Sequence, residues 1–145
     1  MRDARFVAEH RGGPLKRQQH NALLEWASKC VKHVLDKIGE NSNPSFIKIL
    51  DVGEAWKNGN ASVGDARNAA FAAIAIAKAL EDPVKIAAAR AVGHVVAVAH
   101  MADHALRAAD YALKALSKDE RVLERQWQNE QLPVSIKSLV LATRK

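Results

Sequence analysis

A chain of 145 residues can bury a sizeable core without metals or disulfides, so a single domain is expected over residues 1–145. Its composition is 48% hydrophobic but only 5% aromatic, so that core must be built from Ala, Val, Leu and Ile, which favours closely packed helices over sheets. A formal charge of +6 would suit an acidic partner, but the cations are interleaved with acids along most of the chain, which argues for a solvated surface and against nucleic acid.

Residues 1–13 show no period and read as an N-terminal arm, which closes on the turn His10-Arg11-Gly12-Gly13-Pro14. From about Leu15 to Ile38, apolar residues recur every three or four positions (Leu23, Ala27, Cys30, Val34), predicting an amphipathic helix stopped by Gly39. Asn43-Pro44 is an N-cap followed by a first-turn proline. It opens a second helix whose inner face is Phe46, Ile49, Leu50, Gly53 and Trp56. Ser62-x-x-Asp65 reads as a capping box for a third helix running to Leu80, apolar all round between residues 69 and 77 and therefore expected at the centre.

Asp82-Pro83 starts a pattern that runs to about Leu116, about 50 Å if straight, which is too long for a domain of this size. A break is expected either at Gly93 or between His100 and Asp103, where Asp103 could cap a new helix. Ser117-x-x-Glu120 opens a further helix carrying Leu123 and Trp127, and Leu132-Pro133 a short last one with Ile136, Leu139 and Val140. The fold class is all-α, a bundle of five to seven helices around the Ala/Val-rich third and fourth.

No stretch approaches the roughly 20 apolar residues of a membrane span. The single cysteine, Cys30, and a start without a secretory pattern point to the cytoplasm. There is no phosphate loop, G-x-S-x-G or C-x-x-C motif, and no cofactor is implied.

The informative feature is a set of polar residues inside the most apolar helices: Arg67, Arg90, His94, His100, Asp103 and His104. Buried polar groups need partners, so these should bond to one another, to backbone or to a ligand. His100-x-x-Asp103-His104 superficially matches the H-x-x-E-H run of some zinc peptidases, with His100 and His104 as candidate ligands. The shorter Asp and the lack of an identifiable third ligand favour a structural network over a metal centre. Trp26, Trp56 and Trp127 are read as core, with Trp56 and Trp127 kept as candidate partner contacts.

The stretch 89–104, with Arg90, Gly93, His94, His100, Asp103 and His104, followed by Tyr111-Ala112-Leu113-Lys114-Ala115, resembles a family of small bacterial immunity proteins. Arg5-Phe6-Val7, His10-Arg11-Gly12-Gly13, Trp26-Ala27 with Cys30 and His33, Trp56-x-x-Gly59-Asn60 and Arg125-x-Trp127-Gln128-x-x-Gln131-Leu132-Pro133 resemble it too, so the likeness covers most of the chain. It implies a helical, non-catalytic protein that binds and neutralises a cognate toxin in the cytoplasm. The basic charge then favours a non-nuclease or acidic toxin. The alternative is a small helical enzyme or metal protein centred on His100, Asp103 and His104; a homo-oligomer is open under either reading.

Overall fold

The capping signals translate directly into helix starts in the computed structural model, which describes residues 3–144. The segment before the first helix is folded: two 3-10 turns, Ala4–Phe6 and Glu9–Arg11, lead into a reversal at Gly12, whose φ of 84° suits a glycine. Backbone bonds from Glu9 N–H to the Leu15 carbonyl and from Leu15 N–H to the Val7 carbonyl tie this reversal together. Phe6 and Leu15 are thereby buried. Pro14 thus belongs to the turn, and α1 spans Arg17–Lys37, with the Gln19 side chain accepting from the Lys16 N–H at its start.

α2, Pro44–Lys57, is capped by Asn43 Oδ1, which accepts from the Ser45 and Phe46 amides, and it buries the five residues expected of it. α3, Val63–Ala79, starts on a reciprocal Ser62–Asp65 box. α4 is Pro83–Ala97, α5 is His104–Lys114, α6 is Lys118–Glu130 and α7 is Val134–Thr143. Seven α-helices among the described residues make the all-α bundle that the periodicity implies.

At its centre is α4, which is buried nearly all round and packs against α1, α2, α3 and α5. The expectation that α3 shares that centre is overturned. Only Ala66, Ala70, Ala73 and Ala77 face inward, while Phe71 is 60% and Ile74 49% exposed. An apolar circumference is necessary for a central helix but does not create neighbours on every side, and α3 has close neighbours only in α2 and α4.

Of the two candidate breaks, Gly93 and residues 100–103, the second is used, though α4 already ends three residues earlier, at Ala97. Gly93 stays within α4, where it marks the closest approach to α3: a Cβ on Gly93 would stand 2.9 Å from the Ala73 Cβ. After Ala97 the ladder tightens, with the amides of Val98, Ala99 and His100 bonding three residues back, and the buried His20 ring of α1 bonds the Val98 carbonyl left over at the helix end. Asp103 precedes α5 with helical backbone angles and makes no capping bond, contrary to the role read for it.

α6 also departs from expectation. Its inward residues are Glu124 and Gln128, whereas Leu123 is 71% exposed and Trp127 half-buried. Polar bonds seat this helix. Glu124, 2% exposed, receives His33 Nδ1–H at 2.6 Å and lies 3.2 Å from Lys37 Nζ, both on α1. The Gln128 carbonyl accepts from Trp26 Nε1 at 2.8 Å, and its side chain bridges the Ala109 carbonyl and Arg144 Nη2.

Candidate functional site: a groove between the third and fourth helices

Five of the six polar residues singled out in the sequence line one groove of about 300 Å³ between α3, α4 and the start of α5. Arg67 and Phe71 are one turn apart on α3, and Ile74 follows on the same side. Arg90 and His94 are one turn apart on α4, and His100 and His104 enter from the turn into α5. The expected i,i+4 face of one helix does not exist for His100 and His104, because the chain breaks between them. The fold still brings their rings within 5.3 Å, across the corner.

The histidines form the polar end of the groove. His94 Nδ1 and His104 Nδ1 are 2.8 Å apart, so one ring donates and the other accepts. That arrangement requires the accepting ring to carry no proton on the shared edge. Burial is the main cause that lowers each to a pKa of about 4; His94 also feels His104, Arg107 and Arg90, while for His104 the neighbouring Asp103 opposes the shift and His100 and Arg107 add to it. Tyr111, which the sequence reading did not single out, stacks on His94 at 5.1 Å. Its signal was its place two turns after His104 on the amphipathic α5, too generic to distinguish it from core.

The two arginines are not buried as expected. Both lie exposed on the rim, and no described carboxylate lies within 4.0 Å of either guanidinium. Arg90 has the Tyr111 ring at 6.0 Å. Long side chains at the edge of a helix reach water and avoid the desolvation that burial would impose. Asp103 lies apart from the groove and borders cavities beside Phe6 and Arg144.

The groove therefore offers apolar walls, neutral imidazoles and two free cations, with no hydroxyl, thiol or carboxylate among its lining side chains. That chemistry suits binding. Among the described residues no three His, Cys, Asp or Glu side chains are placed to hold a metal ion together. Cys30 is fully buried, and burial pushes its thiol far above the ordinary range, where it is inert.

The two candidate contact tryptophans divide. Trp56 is buried under the Arg17 guanidinium, 4.0 Å from the ring centre, and against the His20 ring, which removes it from a partner's reach. Trp127 stacks on His33 with ring centres 3.6 Å apart and borders a separate groove between α1 and α2.

Comparison with curated proteins and with solved structures gives no match. A protein family does match, over residues 13–135, which takes in α1 to α6 and every residue of the groove. The chain belongs to the family described as "Imm-5 like putative immunity protein".

Proposed function

We propose that this chain is an immunity protein, a single helical domain that binds a cognate toxin in the cytoplasm and blocks it by stoichiometric, non-catalytic occlusion. Membership of the immunity family across residues 13–135 carries the reading. The geometry supports it in two ways. Phe71 and Ile74 hold large apolar surface in water on the outer side of α3, which is how a docking face behaves before its partner arrives. The lining of the groove that they border is cationic and apolar, with histidines but no hydroxyl, thiol or carboxylate side chain, which fits recognition better than bond-breaking. No helix of the described residues is long and apolar enough to cross a membrane.

The test is co-expression of the chain with the toxin encoded beside it. Survival of the cells, together with co-elution of the two proteins at one-to-one stoichiometry, is the expected result. Equal killing with and without the chain refutes the reading. Protection by far less chain than toxin replaces occlusion with catalysis.

A further inference from the structure

Resting on that reading, we infer that the groove between α3 and α4 is where the toxin docks, and that it takes an acidic segment of the toxin carrying an apolar side chain. The inference starts from charge. Arg67 and Arg90 stand on the rim with no carboxylate among the groove's lining residues. Three larger grooves each carry both signs of charge. One, about 980 Å³ between α2 and α3, sets Lys48 with Asp51 and Asp65; a second, about 560 Å³ between α1 and α2, sets Lys29 and Lys32 with Asp36, Glu40 and Asp51; a third, about 380 Å³ beside α5, sets Arg107, Arg125 and Arg144 with Asp103 and Asp110. Only the α3–α4 groove among these presents one sign of charge next to apolar surface.

The outer side of α3 extends the same chemistry. Arg67, Phe71, Ile74 and Lys78 follow at spacings of four, three and four, so they form one exposed stripe with cations at both ends and apolar groups between. A partner element that matches it has the complementary order, carboxylates flanking an apolar residue. The apolar side chain enters between Phe71 and Ala97, and the carboxylates meet the guanidiniums, where planar bidentate pairing is available.

A second copy of this chain is the competing occupant, and charge argues against it. A two-fold contact sets each patch against itself. Arg67 and Arg90 would then face their own equivalents with no acid from the groove to offset them, an arrangement that costs affinity.

The experiment titrates the toxin encoded beside the chain onto the unaltered chain and onto three variants. Arg67→Glu with Arg90→Glu reverses the rim at two exposed positions and is expected to weaken binding on the order of 100-fold. Phe71→Ser is expected to weaken it about tenfold or more. Leu123→Ser, on the exposed side of α6, serves as control and is expected to bind as the original does. Helical circular dichroism and an unchanged melting curve establish that each variant is folded. Raising salt from low to high should weaken binding by the original chain, whereas in the double variant, where like charges face each other, it should not weaken binding and should partly restore it.

If the original chain binds and protects while folded groove variants do so equally, the docking site lies elsewhere and the immunity function stands. A concentration-dependent dimer that Phe71→Ser abolishes, with toxin binding unaltered, assigns the groove to self-association and overturns the inference. If the original chain neither binds nor protects, the functional reading fails, and this inference fails with it.

Discussion

Glu124 has the most demanding surroundings of any charged side chain in the molecule, being almost wholly inaccessible and held by His33 and Lys37. Truncating it leaves the His33 N–H and the Lys37 ammonium facing a vacated, partly dry site, and breaking a buried charged contact of this kind typically costs about 3–5 kcal/mol. Glu124→Ala should therefore lower the denaturant midpoint sharply, whereas Glu130→Ala, on the exposed side of the same helix, should not. The histidine pair predicts a pH response. His94 and His104 have folded-state values lowered to about 4 from an unfolded 6.5, so between these limits the unfolded chain binds more protons. The stability they contribute is fully present above pH 6.5 and is lost as pH falls towards 4; the buried His20, lowered as well, acts in the same direction. Melting temperature should drop between pH 7 and pH 5, and it should drop less in a variant carrying His94→Leu and His104→Leu. Caps and turns were legible at this scale because they are local: the Asn43 and Ser62 side chains bond amides two and three residues on, and Gly12 acts through its own φ. Glu124 and Gln128 were not, because their partners lie some 20 to 100 residues away and the apolar period of α6 points to Leu123 instead.

Helix α3 is attached through a seam of four alanines, and at Gly93 the two backbones of the α3–α4 pair come too close for even one methyl group. The atom that such a group would meet is the Ala73 Cβ, which cannot rotate away, so the helices must part. Gly93→Val should destabilise by roughly 1–3 kcal/mol, the usual cost of overpacking, and shift the groove resonances in an NMR spectrum. An unchanged midpoint would mean that α3 can slide outward freely. The starts of α2, α3, α4, α6 and α7 were readable because proline and capping signals punctuate the chain at 43–44, 62–65, 82–83, 117–120 and 132–133, whereas no proline or capping bond marks the start of α5, which leaves the count read from the sequence at five to seven. What could not be read was which apolar helix is central. Ala69 to Ala77 and Ala87 to Val98 look alike in one dimension, but only α4 has helices on every side. The groove was half legible: its residues stood out as polar groups in apolar runs, yet their meeting depends on a corner after Ala97 that contains neither proline nor glycine.

At the scale of the whole molecule, the segment before α1 is part of the fold, since Phe6, only 4% exposed, plugs the bundle beside the α4–α5 corner. Phe6→Ala should cost about 3 kcal/mol or more, read as a lower unfolding midpoint and faster proteolysis near residue 12. At the opposite end of the described chain, the Arg144 side chain runs inward to Gln128 and Asn129 over the Trp26 ring, so α7 is held by hydrogen bonds as well as by Ile136 and Val140. The outer side of α3, by contrast, carries no such restraint. Positions 67, 71, 74 and 78 touch water, and the inward positions that anchor the helix are all alanine. Substitutions on that stripe should be nearly neutral for folding, and under the docking proposed above they would change only what is recognised. A lineage pursued by a changing toxin could therefore rewrite its specificity along a single helix face, one residue at a time, while the bundle beneath it stays the same.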